Sequence, residues 1–216
     1  MSILVYCVTH PAAASDLGSG VAGLPVLHCR EAGLDALFSA NTSAESWTGE
    51  SFKQSAREFH NVLHRAFAAH AIVPFRFPTL LRDEDELASY IRDNAAEYSS
   101  QLTKFENSVQ MDVSIAWLEP HSAAPHTSGA EYLRTRQKQS DELQAIAKRI
   151  QELAGETAQS WRDRPSSNSL KLFALVNRAA VDGFRETLER FSVPKNLAVR
   201  VSGPWPVTEF LELKQR

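Results

Sequence analysis

The sequence predicts a mixed α/β (α+β) protein built from two consecutive units, residues 1–106 and residues 107–216. Short apolar runs typical of strands alternate with longer segments in which apolar residues recur at helical spacing. The 216 residues contain no low-complexity tract or flexible linker that would separate the two units widely. A chain of this length buries roughly 70% of its unfolded surface, so a substantial core is available.

The first unit begins with three predicted strands. The continuous apolar run from Ile3 to Val8 indicates a buried strand. Two further strands, Pro25–His28 and Leu34–Ser39, flank Gly33, which can take the positive φ of a hairpin turn. We expect these three strands to share one sheet.

Two helices and an extended segment complete the first unit. The first helix starts near Ser51 and carries an apolar face at helical spacing: Phe52, Ala56, Phe59, Leu63, Ala66, Phe67 and His70. Asp83 is placed to cap the second helix, with Glu86 at capping-box spacing. Between the helices, Pro74 and Pro78 remove amide donors from an extended segment, so it should be an edge strand or an extended crossover.

The second unit has the predicted order β-α-β-β-α-β. Its first strand alternates apolar and polar residues from Val109 to Trp117, and a helix runs from Tyr132 to about Ala154. A polar edge strand at 157–164 precedes a central strand at 170–176, which is apolar on both faces. A short amphipathic helix and a strand at 197–202 follow. This order is that of a ferredoxin-like split βαβ unit.

Composition excludes several functional classes. The net charge is -3, and basic residues are interspersed with acidic ones, which argues against a nucleic-acid partner. No segment approaches the ~20 apolar residues that span a bilayer, and the apolar N-terminal run is short for a signal peptide. Cys7 and Cys29 are too few for a disulfide framework, which favours a reduced, cytoplasmic setting.

The motifs of catalysis and of cofactor binding are missing from the sequence. His60 and His64 are four residues apart on a helix, but a zinc site needs three or four ligands, so we expect no metal. No nucleophile elbow, phosphate-binding loop or dinucleotide fingerprint occurs. We therefore predict no catalytic residues and no cofactor.

Two segments are candidate protein-binding sites. Arg76 lies between two phenylalanines, and burial against a carboxylate is favoured over anion binding. Trp205, held between Pro204 and Pro206, either closes the open end of the second sheet or forms an exposed aromatic anchor, with closure favoured. The candidate binding residues are Pro74, Phe75, Arg76, Phe77, Trp205 and Phe210.

Four segments resemble the GvpF/GvpL family of gas-vesicle accessory proteins, and the likeness spans the chain. They are residues 56–63 (AREFHNVL), 72–80 (IVPFRFPTL), 129–133 (GAEYL) and 201–210 (VSGPWPVTEF). The second and the last are similar to the family's Leu-Pro-Leu-Arg-Phe-Gly-Thr and Thr-Gly-Pro-Trp-Pro-Pro-Tyr-Ser-Phe patterns. This chain departs from those patterns at Pro78, Val207 and Thr208.

The resemblance implies an N-terminal α/β unit, a ferredoxin-like C-terminal unit and no enzymatic activity. It also implies an accessory role in gas vesicle assembly, in the cytoplasm and at the gas vesicle, with the small hydrophobic shell protein and other accessory proteins as partners. The alternative is a ligand-binding or enzymatic ferredoxin-like cytoplasmic protein unrelated to buoyancy. Its site would draw on His10, His28, His60 or Arg76.

Overall fold

The computed structural model describes residues 2–11, 17–42, 48–118, 129–166 and 168–213. The chain forms two compact units, one comprising Met1–Glu106 with Trp205–Arg216 and the other Asn107–Pro204. The sequence had assigned all of 107–216 to the second unit. The closing segment groups with the first unit because Leu211 and Leu213 pack against its core, and the Glu212 amide donates to Gln101 Oε1 at 3.3 Å.

The first unit is built on an antiparallel sheet of five strands among the described residues. They are β1 (Ser2–Thr9), β2 (Leu27–Glu31), β3 (Leu34–Thr42), β4 (Ile72–Pro74) and β5 (Leu80–Leu81). The order is β2-β3-β1-β4, and β5 also pairs with β1. The three strands predicted near the N-terminus therefore share one sheet.

Local chemistry accounts for the turn and for the edge of this sheet. Ala32 and Gly33 join β2 to β3 with φ values of 50° and 76°, the positive values that a two-residue hairpin requires. β4 stands at the end of the strand order, as its prolines predicted. Beyond it, the Phe77–Pro78 peptide bond is cis.

The two helices of this unit are α1 (Gly49–Ala69) and α2 (Glu84–Lys104). The predicted cap of α2 is present, since Asp83 Oδ1 accepts from the amide of Glu86 at 2.9 Å. The Glu86 carboxylate accepts a hydrogen bond from the amide of Arg82, at 2.7 Å, whereas a capping box would use the amide of Asp83. The Glu86 amide, followed by the Arg82 guanidinium, lowers the pKa of Asp83.

The buried face of α1 is rotated from the predicted one. Its buried residues are Ser55, Phe59, Val62, Ala66 and Phe67. Phe52, predicted on the apolar face, is 40% exposed, and His70 is also exposed. Among the described residues, the sheet therefore covers only part of the apolar sector of α1.

The second unit contains β6 (Ser108–Trp117), α3 (Gly129–Leu153), β7 (Ala158–Pro165), β8 (Ser169–Asn177), α4 (Val181–Glu189) and β9 (Leu197–Trp205). The strand order β7-β8-β6-β9 inserts β8 between β6 and β7, and both of these pairings are antiparallel. The observed element order is the predicted one, with apolar β8 internal and polar β7 at an edge. β9 continues to Trp205, beyond its predicted end at Ser202.

One polar residue of the second unit departs from the predicted alternation. Gln110, expected on the wet face of β6, is 3% exposed. Its amide donates to Asp112 Oδ1 at 2.8 Å, which offsets the desolvation that burial imposes.

Among the described residues, no helix combines the length and apolar character needed to cross a membrane.

Candidate functional site

The segment that follows β4 directs two aromatic rings to different helices. The Phe75 ring lies 6.0 Å from Tyr90 of α2, between ring centroids, whereas the Phe77 ring lies 5.3 Å from Phe52 and 5.2 Å from Phe59 of α1. Residues two apart share a face in a regular strand, so the chain must bend between these rings. The Thr79 hydroxyl, donating to the carbonyl of Arg76 at 2.7 Å, closes that bend.

Arg76 is exposed, so the predicted burial against a carboxylate is wrong. The bend turns both neighbouring phenylalanines inward and the arginine outward. A guanidinium in water needs no buried counter-ion. Within the described part of the chain, its side chain has no ion-pair or hydrogen-bond partner.

The structure places the closing segment against α1. The half-buried Trp205 ring lies 5.6 Å from that of His60, between centroids, and both residues belong to the first unit. Trp205 is also the last residue of β9, a strand of the second sheet, and its contact with α1 is one that the favoured expectation of sheet closure did not include. Phe210, also predicted as a contact residue, is 4% exposed and serves as a core residue.

These contacts define an aromatic strip along one flank of α1, formed by Phe52, His60, Phe77 and Trp205. Phe52 and His60 are eight residues apart, which corresponds to about 12 Å along the helix. The Phe77 ring packs on Phe52, and the Trp205 ring packs on His60. The strip is half open to solvent, since Phe52 is 40% exposed and the rings of Phe77 and Trp205 are half-buried.

A basic row borders the aromatic strip on the outward side of α1. Lys53, Arg57 and His64 recur at intervals of four and seven residues, which aligns them on one helix face, and all three are exposed. Lys53 donates to Glu50 Oε1 at 2.7 Å. Arg57 and His64 have no ion-pair or hydrogen-bond partner among the residues that the structure describes.

Sequence reasoning missed this combined surface. Phe52 was assigned to the buried face, and Arg57 was not singled out. The sequence nevertheless contained a signal. Apolar residues recur at helical spacing from Phe52, and basic residues recur at helical spacing from Lys53, so the two rows are adjacent on one helix.

The histidines proposed for the alternative function have separate partners. His28 Nδ1 lies 3.0 Å from Oδ2 of the buried Asp35, whereas His10 Nε2 lies 3.5 Å from the hydroxyl of Thr103. His60 packs on Trp205. Among the described residues, no hydrogen bond or ring contact joins any two of His10, His28, His60 and Arg76, and no group of three ligands is positioned for a metal ion.

The buried titratable groups of β1 serve packing. The Tyr6 hydroxyl lies 2.9 Å from Ser39 Oγ and accepts from the amide of Val21 at 3.0 Å. Burial raises the pKa of Tyr6 and of the Cys7 thiol, so both stay protonated near neutral pH. Cys29, also buried, has a raised pKa, chiefly from burial, and neither thiol is an activated nucleophile.

Comparisons with known proteins agree with this architecture. The sequence matches the family described as gas vesicle synthesis protein GvpL/GvpF over residues 2–212. No protein of curated function matches it. The fold is similar to the crystal structure of gas vesicle protein GvpF from Anabaena sp. PCC7120, with a TM-score of 0.77 at 12% identity, covering 99% of this chain and 97% of that one.

The fold is also similar to a second solved structure. The GvpF crystal structure from Microcystis aeruginosa gives a TM-score of 0.74 at 14% identity, covering 98% of this chain and 99% of that one. At such low identities the likeness shows a shared fold. It confirms the mixed α+β prediction for the whole chain.

Proposed function

Because the chain belongs to the gas vesicle synthesis protein GvpL/GvpF family, we propose that it is a non-enzymatic accessory protein of gas vesicle assembly. In this role it binds the small hydrophobic shell protein, together with other accessory proteins, in the cytoplasm and at the gas vesicle. The family match supports the accessory role, and the half-exposed aromatic strip supports the contact surface that we propose for it.

The aromatic strip is the observation that carries the proposal. An assembly factor for an apolar, aggregation-prone subunit needs apolar contacts on a scaffold that does not rearrange. Phe52 meets that need, because its ring is 40% exposed yet held 5.3 Å from Phe77. Aromatic anchors supply a large contact area at small entropic cost and are enriched at binding hot spots.

The predicted binding residues contribute unequally to such a surface. Phe77 and Trp205 belong to the aromatic strip, and Arg76 is exposed beside Phe77. The Phe75 ring lies against Tyr90 of α2, and Pro74 pairs with Cys7 of β1, so both hold the segment in place. Phe210 is 4% exposed, so we propose that it supports the closing segment from the core rather than touching the partner directly.

The test is complementation in a vesicle-forming host that lacks its own copy of the gene. We expect the wild-type chain to restore vesicles, scored by electron microscopy, and a tagged copy to capture the shell protein. Phe52→Ser should weaken capture by about 30-fold, the effect of removing one interface hot spot. Normal vesicles in the deletion strain would disprove the accessory role.

Leu153→Ser is the matched control. Leu153 is 44% exposed on α3, so its substitution removes a comparable apolar side chain from a different surface. We expect Leu153→Ser to capture the shell protein as the wild type does. Equal loss in both variants would mean that general surface hydrophobicity, rather than the aromatic strip, governs binding.

A further inference from the structure

We infer that the aromatic strip and the basic row of α1 together form a docking surface for an amphipathic helix whose apolar face is bordered by acidic residues. The inference rests on the proposed function and specifies the chemistry of the partner segment. It is carried by the charges of α1, by their position beside the strip, and by the length of the surface.

Of the three lysine and arginine side chains of α1, Arg57 alone has no partner among the described residues. The helix contains two acidic residues, and both are engaged: Glu50 accepts from Lys53 at 2.7 Å, and Glu58 accepts from the amide of Ala22 at 2.9 Å. Arg65 donates to the carbonyl of Ser19 at 2.6 Å. Arg57 keeps an exposed guanidinium with no acidic partner among the described residues, so a carboxylate on another chain is its natural complement.

The position of the basic row fits a helical partner. At 100° per residue, Lys53, Arg57 and His64 fall within about 40° of one another on α1, next to the sector of Phe52 and His60. A partner helix that lays apolar residues on the aromatic strip therefore presents its flanking residues to the basic row. Acidic residues three or four apart on that flank would meet the basic residues in register.

The length of the surface sets the length of the partner segment. Lys53 and His64 are eleven residues apart, which corresponds to about 16 Å along α1, or three helical turns. A partner helix of about eleven residues covers this distance. Such a short helix is marginal alone in water and gains its stability from the apolar contact.

The arrangement favours a protein helix over an anionic membrane surface. Interfacial helices insert a continuous apolar face several ångströms into the lipid. Here the rings of Phe77 and Trp205 are half-buried and lie against Phe52 and His60 of α1, so they do not protrude as a continuous apolar face. A half-buried strip of this kind can be covered by the side chains of another helix.

Charge reversal tests the inference. The probe is the shell protein of the vesicle-forming host, co-expressed with the tagged full-length chain. We expect Arg57→Glu combined with His64→Glu to reduce capture at least about tenfold at low salt, while Lys138→Glu leaves capture unchanged. Lys138 is a matched control because it is an exposed lysine on α3. Raising the salt concentration should weaken wild-type capture toward that of the double variant.

The outcomes separate this inference from the proposed function. If Phe52→Ser abolishes capture and the charge reversal does not, the accessory role stands and the acidic-helix partner is wrong. If the wild type sediments with phosphatidylserine vesicles and the charge reversal abolishes only that, the basic row binds a lipid surface and the inference is overturned. Circular dichroism spectra identical to wild type confirm that each variant is folded.

Discussion

The contact of Gly20 with the buried ring of Tyr6 yields the sharpest prediction about stability. A methyl group at Gly20 would lie 2.7 Å from Ser39 Oγ and 3.2 Å from Cζ of Tyr6, and would also collide with the Tyr6 hydroxyl. Tyr6 is fully buried, and Ser39 Oγ in turn donates to the carbonyl of Pro25 at 2.8 Å. Gly20→Ala must therefore displace either the hydroxyl network or the loop that carries Gly20.

The size of the effect follows from two costs. Inserting a methyl group into a packed interior costs about 1–3 kcal/mol, and breaking the bonds of a buried hydroxyl costs about 1–3 kcal/mol more when its partners are left unpaired. Partial relaxation of the loop offsets some of this. We expect Gly20→Ala to lower the free energy of unfolding by about 2–4 kcal/mol, measured by urea denaturation followed by circular dichroism.

A double-mutant cycle with Tyr6→Phe identifies the cause. Tyr6→Phe alone should cost about 1–3 kcal/mol, because the amide of Val21 loses its acceptor. Gly20→Ala should then cost at least about 1 kcal/mol less in the Tyr6→Phe background, since the colliding oxygen is gone. An equal cost in both backgrounds would refute the steric explanation.

Gly183→Ala is the control for the general effect of adding a methyl group at a glycine. Gly183 lies inside α4, and an added methyl group there meets no atom within 4 Å. We expect this substitution to stabilise the protein by about 0.5–1 kcal/mol through helix propensity. If Gly20→Ala lowers the free energy of unfolding and Gly183→Ala raises it, the cost at Gly20 comes from its close approach to Tyr6.

Four further predictions concern the cap of α2, the two thiols, Phe210 and Arg76. The pKa of Asp83 is lower in the folded chain, so its stabilisation is complete above the unfolded pKa and is lost as the pH falls through the folded one. The stability difference between wild type and Asp83→Ala, followed by thermal unfolding, should therefore vanish in acid. Cys7 and Cys29 should resist iodoacetamide in the native protein at neutral pH and react after denaturation, as read by mass spectrometry; rapid native labelling would contradict their burial. Phe210→Ala should cost about 3–5 kcal/mol in urea denaturation. Arg76→Ala should stay within about 0.5 kcal/mol of wild type, and a larger loss would indicate a buried pair after all.

Several features of the fold could be predicted from the sequence because local chemistry decides them. Gly33 supplies a positive φ at the β2–β3 turn, and Asp83 accepts an amide hydrogen bond at the start of α2, whatever surrounds them. The prolines flanking the segment after β4 keep it from the centre of a sheet. The apolar character of β8 on both faces likewise predicted its internal position.

The candidate site depended on information that no local pattern contains. The spacing of Phe52 places it on the apolar face of α1. Its exposure nevertheless depends on how much of α1 the sheet covers. Arg76 turned outward because a bend sent Phe75 and Phe77 to opposite helices. The sequence also could not tell which element would receive Trp205.

The sequence by itself therefore determined the four helices, the longer strands, their order in both halves and the family, since these follow from periodicity, turn chemistry and motif, whereas the two-residue strand β5 was not predicted. Only the tertiary structure decided which apolar residues stay uncovered, that the segment from Trp205 groups with the first unit, and that Phe210 belongs to the core. The physical reason is that burial is a property of contacts between residues distant in the chain. A side chain's own chemistry sets only what its burial or exposure costs.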